Sequence, residues 1–299
     1  VSSENSTLPD AGAAGAAAAE GVSRPVLRRL LRDRRFLAGA AVVIFIVLGS
    51  ALGPLFRDAM TTPDTDTLMS GPSAAHPFGT DELGRDILAR VVGGSVVILQ
   101  VAAVAVGISL VAGTALGLLA GYRGGWVDAV LMRVVDGLMA FPLLVLALTI
   151  VAALGPGLRN ALIAIAVVLT PRFARVVRAE VLSLRSREWV SAARIVGVPS
   201  RAVMLRHLLP HLSGTLLVFA ALQLSTAAMA EASLSFLGLG IQPPDSSWGA
   251  MVASGVTRLE TNWAMAVFPG LALLLTIAAF NLLADALRDA LDAHGPEEV

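Results

Sequence analysis

The sequence contains no cysteine and no lysine; all 22 of its basic residues are arginines. Without cysteine there is no disulfide, no thiolate nucleophile and no cysteine-ligated metal, and the redox compartment is left undetermined. Without lysine there is neither a phosphate-loop lysine nor a Schiff-base lysine. If ATP drives this protein, another subunit must hydrolyse it. Charge is also scarce, at 15% of residues with a formal balance of zero, so bulk electrostatics suggest neither nucleic acid nor an acidic partner. No nucleophile elbow, Gly-rich nucleotide loop or His-Glu-x-x-His run occurs, and no catalytic constellation emerges.

Apolar residues make up 56% of the 299-residue chain, and the mean hydropathy is +0.77. These values predict an all-α, polytopic integral membrane protein. Residues 1–23, rich in Ala, Gly and Ser, have little from which to build a core and read as a disordered cytoplasmic tail. Arg24, Arg28, Arg29, Arg32, Arg34 and Arg35 then precede the uncharged run Phe36–Phe56. As a helix that run is roughly 31 Å long, enough for one span. The arginines before it argue for a start-transfer helix with its N-terminus inside, not a cleaved signal.

Residues 57–90 form a loop before the long apolar core of residues 91–292. Asp58, Asp64, Asp66, Asp81, Glu82 and Asp86 in this loop lack an established cation-ligand spacing and read as solvated charge. Val91–Tyr122 carries no charge and is too long for one perpendicular span, so a lead-in or strong tilt is needed. Its Gly113, Gly117 and Gly121 recur every four residues, a spacing that lets another helix approach closely. After a short turn at Arg123, Gly124, Gly125 and Trp126, a third span runs to about Leu154, with Arg133 and Asp136 pairing near its start. A fourth lies between Gly157 and Phe173, and Arg172, Arg175 and Arg178 follow as interfacial anchors. The fifth covers about Leu212–Ala230 and the sixth Trp263–Ala284, with Trp248 and Trp263 suited to the far interface. Six spans put both termini inside. Only Arg57, Arg85, Arg90, Arg159 and Arg258 then fall outside, an asymmetry that supports the topology.

One polar stretch, Arg187–Pro210, interrupts the apolar runs. Trp189, Ala192, Ala193 and Val196 share one face of a short helix, while Arg187, Ser191 and Arg194 occupy another. Gly197 supplies a left-handed stop and Pro199 suits the first position of a new helix. This predicts helix, turn, helix within a cytoplasmic loop of residues 180–211, exposed in water and offered to a partner. His207 and His211 are four apart, but Pro210 lies between them and a metal site is not expected.

The Ser191-Ala192-Ala193, Gly197, Leu209-Pro210 spacing resembles the last large cytoplasmic loop of ABC importer membrane subunits. Ser191 stands where that general motif has Glu, so the role of the acid does not carry over; Glu188 is the nearest carboxylate able to replace it. The segments His76–Leu88, Glu231–Pro244 with Ser247-Trp248-Gly249, and Asn281–Asp292 resemble the peptide/nickel branch, in particular its dipeptide/oligopeptide C-type permease. In that branch the segment after residue 88 usually carries an arginine that Gly94-Ser95-Val96 lacks. The resemblance implies a type I transmembrane domain of about six helices in a bacterial cytoplasmic membrane. It also implies a second homologous permease, two ABC ATPase domains that bind ATP and Mg, and an extracytoplasmic substrate-binding protein, with no cofactor in this chain.

On that footing Glu188, Ser191, Ala192, Ala193, Arg194, Gly197, Arg206, His207, Leu209 and Pro210 are the candidates for ATPase coupling. Gln223, Ser225, Thr226, Glu231 and Ser235 are candidates for the translocation pathway. Gln223, Ser225 and Thr226 either face the pathway or bond a neighbouring helix. Glu231 ends an apolar run and is expected near the outer interface, where ionisation is cheap. There it either lines the mouth or ties the following segment in place. The solute is a peptide or a related compound such as nickel or glutathione; a stand-alone secondary transporter is the alternative, although neither a repeat nor midplane charge supports it.

Overall fold

The computed structural model describes residues 24–292, so the tail expected over residues 1–23 lies outside the described residues, as do residues 293–299. A short helix α1 (Arg24–Leu30) leads into α2 (Arg34–Thr61), which is capped by Asp33 and tightens at Gly53–Phe56. There follow α3 (Ile87–Arg123), α4 (Gly125–Met139), α5 (Leu143–Leu154) and α6 (Leu158–Leu184). The short α7 (Glu188–Ile195) precedes α8 (Ser200–Phe236), α9 (Trp248–Val256) and α10 (Ala264–Asp292). Among the described residues, five helices are long and apolar enough to cross a membrane, and a bent pair supplies a sixth candidate span.

Helices α3 and α6 form the centre. A Cβ on Gly113, Gly117 or Gly121 would lie 2.4 Å from Phe173 Cβ, 2.6 Å from Ala174 O and 2.9 Å from Val181 Cβ respectively. These glycines therefore bring the two backbones together, as their interval of four predicts. Ser109 Oγ adds a hydrogen bond across the seam to Ala166 O at 3.0 Å. Phe173 is fully buried and meets the edge of Phe219 from α8 at 5.0 Å between ring centres. α8 and α2 both pack on α10, and α9 wedges between α8 and α10.

The structure corrects several expectations. The third span is not one straight helix, because α4 and α5 meet at 91°. Pro142 has an extended ψ of 136° ahead of α5; its ring and missing N–H prevent the α4 ladder from passing through. Arg133 and Asp136 do not pair. Arg175 of α6 donates to Asp136 at 2.7 Å, and Arg178 makes two bonds to Asp128 at 2.5 and 2.7 Å. The helix carrying these arginines does not end at Phe173 but continues through Leu184, so they join α6 to α4. α3 is one unbroken helix of 37 residues. At about 55 Å it exceeds the ~30 Å hydrocarbon layer and extends beyond it.

The loop before α3 is a built cap: Asp58, Asp64 and Asp66 are exposed, as expected of solvated charge, but Asp81, Glu82 and Asp86 are not. Asp81 is 5% exposed and accepts from the amides of Leu83 and Arg85 and from the Arg85 guanidinium. Asp86 caps α3 through the Ala89 amide and contacts His76 Nδ1 at 2.9 Å. Asn262 donates to the carbonyls of Ser70 and Thr80, and Phe78 stacks on Phe268 at 3.9 Å, which fixes the cap to the start of α10.

The α3–α6 seam predicts opposite outcomes for two glycines on one helix. Gly117→Val should cost about 1–3 kcal/mol by overpacking against backbone. Gly107, where an added Cβ would meet nothing within 4 Å, should accept Val within about 0.5 kcal/mol. Thermal unfolding in detergent measures both; equal melting temperatures would refute the close approach.

Candidate functional site

Two regions hold the residues singled out from the sequence. At one end of the molecule, α6 terminates in a turn whose Arg185 donates from Nη1 to Gly121 O at 3.0 Å. α7 follows at once. Val190 is fully buried, and Trp189 stacks on His211 with ring centres 5.0 Å apart and 20° between planes. Ala193 is half-buried beside them. Glu188, Ser191, Ala192 and Ile195 lie on the opposite, exposed side, so Glu188 and Ser191 share a face one turn apart. The expected apolar face thus needs correction: Trp189 and Ala193 stay on it, Ala192 and Val196 are exposed, and Val190 takes the buried position. Ile195 and Val196 are 86% and 82% exposed.

Gly197 stops α7 at φ +84°, as its residue type allows, and the Val198 amide bonds back to Ala193 O at 3.0 Å. Pro199 precedes the next helix instead of opening it, with Ser200 as the first helical residue. A π-helical turn over Val203–Leu208 comes next. There the Leu209 amide reaches five residues back to Met204 O, and the widened turn accommodates Pro210, which has no amide to offer. Arg206 and His207 are exposed, Leu209 and Pro210 half-buried. His211 Nδ1 donates to His207 O at 2.9 Å, so the His207/His211 pair uses one of its ring nitrogens within its own helix. Arg194 belongs to α7, and its side chain lies outside the described residues.

At the other end of α8, Glu231 is 1% exposed. This corrects the expectation of a wetted interface: the acid is buried, with Ser235 of α8 and Ser247, ahead of α9, against it. Its Oε1 accepts from Ser235 Oγ at 2.7 Å and from Ser247 Oγ at 2.8 Å. Ser247, Trp248 and Gly249 act in succession. Ser247 reaches Glu231, Trp248 donates from Nε1 to Val91 O at 2.8 Å, and a Cβ on Gly249 would lie 2.1 Å from Ala232 O. Trp248 is therefore buried at 2% exposure and not at the far interface, whereas Trp263 is half exposed. Gly94 leaves the room for the indole, since a Cβ there would sit 2.5 Å from Trp248 Cδ1. That close fit occupies the segment where an arginine was missing.

Of the remaining candidates, Gln223 is buried, Thr226 is half-buried, and Ser225 donates to Asn281 Oδ1 of α10 at 2.7 Å. Sequence reasoning missed Asn281 as a helix–helix partner, and it missed Trp248 as a clamp. The signal for the first was a lone amide in an apolar span. The clamp had none, because 157 residues separate donor and acceptor.

Comparison with known proteins covers the stretch that holds both regions. The family model described as binding-protein-dependent transport system inner membrane component matches residues 113–294. A model of the N-terminal transmembrane domain of oligopeptide transport permease C matches residues 23–72. A dipeptide transport system permease protein of Alkalihalophilus pseudofirmus is 40% identical over 272 residues, covering 90% of this chain and 89% of the relative. A glutathione transport system permease protein of Pectobacterium atrosepticum is 40% identical over 271 residues, 90% of each. Its counterpart in Escherichia coli O157:H7 is 43% identical over 267 residues, 89% of this chain and 88% of the relative.

The clamp generates a prediction. Glu231→Ala leaves two buried hydroxyls without their acceptor, at about 1–3 kcal/mol for each. Ser246 Oγ is buried without a partner, so Ser246→Ala should be nearly neutral. Detergent melting together with limited proteolysis of residues 237–247 distinguishes them: the first variant should be cut faster, and indistinguishable variants would rule out the tie.

Proposed function

The chain belongs to the binding-protein-dependent transport system inner membrane component family and is an ABC importer permease subunit, and from that premise we propose how it is driven. The observation that carries the proposal is the elbow: Ile195 and Val196 stand in water beside Ala192, an apolar edge that a partner would cover. Glu188, Ser191, Ala192, Ala193, Arg194 and Gly197 form the docking element for a cytoplasmic ABC ATPase, with Arg206, His207, Leu209 and Pro210 as its return arm. ATP and Mg are bound and hydrolysed by the partner subunits, since a chain without lysine has no phosphate-loop lysine of its own. A second homologous permease supplies the other half of the pathway, and an extracytoplasmic binding protein delivers the solute. The arginine distribution supports both termini, and the elbow, on the cytoplasmic side of the inner membrane.

Closure of the ATPases pushes on α7, and three contacts support α3 as the rod that carries the movement outward. Arg185 holds Gly121 O at the inner end, the glycines mesh α3 with α6 along its length, and Trp248 holds Val91 O at the outer end. The spans then rock to open the pathway alternately to the two sides. The solute is a peptide or a related small compound, and the relatives' dipeptide and glutathione systems support that class. Selectivity rests largely with the binding protein. In this chain Gln223, Ser225, Thr226, Glu231 and Ser235 remain the pathway candidates, the last two acting by holding the outer segment.

Two expected outcomes follow. Proteoliposomes with both permeases should accumulate solute only when the ATPases and ATP are present; uptake without any ATPase would refute the importer reading. Gly197→Trp forces a side chain into a left-handed backbone at about 1–2 kcal/mol. It should preserve membrane insertion but abolish ATPase co-purification, and retained transport would refute the elbow.

A further inference from the structure

A cavity of about 190 Å³ opens in the outer cap, lined by the charged Asp81, Glu82, Arg85 and Arg90 and by apolar residues that include Met251 and Met265. One of its cations is poorly served. Asp81 Oδ1 is taken by two amides, and its Oδ2 lies 2.8 Å from both Nε and Nη2 of Arg85. Arg90 is left with the remainder: its Nε is 3.4 Å from the same Oδ2, and its Nη1 is buried with no hydrogen-bond partner. The residue is 8% exposed. Glu82 is paired with Arg258 at 2.9 Å. Asp86 bonds the Ala89 amide and His76. The lining therefore carries two cations, Arg85 and Arg90, and two anions, but Glu82 is engaged by Arg258 and Arg90 keeps only the longer share of Asp81.

A buried guanidinium without a full counter-charge is costly. Water can accept from a free N–H but brings no charge. A carboxylate brings both an acceptor and a charge, because its two oxygens match the planar donor fork of arginine. The space is several times the ~30 Å³ share of one water molecule, and its apolar lining includes methionine side chains that adapt to varied apolar groups. We propose that this cavity is a subsite for the carboxylate of a small solute, held by Arg90 beside Arg85, with the solute's apolar part against Met251 and Met265. The proposal rests on the importer reading for the solute's route, and it gives the outer face of the permease a recognition step of its own.

Glycylglycine and its uncharged C-terminal amide, glycylglycinamide, are the probes. Saturation-transfer NMR would be recorded on the complete permease–ATPase complex in nanodiscs, with the binding protein omitted. The acid should show transfer, and the amide should bind about tenfold more weakly, the factor expected for loss of one charge-assisted hydrogen bond. Arg90→Gln should remove the preference for the acid. Ala250→Phe, which fills the cavity from the wall without touching a guanidinium, should remove it too, and this variant decides the matter should Arg90→Gln fail to assemble. Equal transfer to acid and amide, or a preference that survives both variants, would overturn the proposal. Loss of binding-protein docking in Arg90→Gln, with no glycylglycine signal in the wild type, would assign the cavity to a protein carboxylate and also overturn it. A wild-type complex that transports with ATP but shows no signal sinks this subsite alone, whereas transport without ATPase sinks the importer reading and leaves the binding result standing.

Discussion

The structure depends on the contact between α3 and α6, where three glycines let backbone meet backbone. A helix pair buried in lipid has no hydrophobic drive of its own, and its stability comes from the number of atoms at van der Waals distance. Removing the Cβ at Gly113, Gly117 and Gly121 allows that density along about 12 Å of helix. Both candidate regions hang from the two ends of this seam. The elbow continues directly from α6, and the outer clamp grips the first turns of α3. The ion pairs Arg175–Asp136 and Arg178–Asp128 hold the bent α4 against the same scaffold.

The outer end shows how polar groups are accommodated in an apolar chain. Three consecutive residues, Ser247, Trp248 and Gly249, make three different contacts to Glu231, Val91 and Ala232. Each uses a distinct physical property: a hydroxyl donor, an indole donor on a large ring, and a missing Cβ. The result returns the chain into the bundle between α8 and α10 and gives the acid two donors on Oε1, while its Oε2 is buried without a partner. The cap before α3 works in the same way, with Asp81 collecting two amides and a guanidinium.

Features that follow from local spacing were legible in the sequence. The apolar runs located the spans, the glycine interval announced the seam, and Gly197 adopted the left-handed stop that its neighbours required. Features that depend on distant partners were not. Asp136 has Arg133 three residues away, yet its partner is Arg175 on another helix, because the crossing of α4 and α6 presents a better-placed guanidinium. Trp248 looks like an interfacial anchor until Gly94 provides a slot for it. Asp81 looks like solvated charge until the loop folds around it. The 91° bend was concealed for another reason: Phe141-Pro142 sits in an apolar stretch where hydropathy stays high, so only the geometry of proline marks the break.

The central claim is that the Ile195–Val196 edge faces the cytoplasm and is covered by an ATPase. Since the chain has no cysteine, Val196→Cys would provide a single reporter. Labelling with a membrane-impermeant maleimide should succeed in inside-out vesicles stripped of ATPase, fail in intact cells, and be suppressed when the ATPase is assembled. Labelling from outside intact cells, or labelling unaffected by the assembled ATPase, would contradict the account.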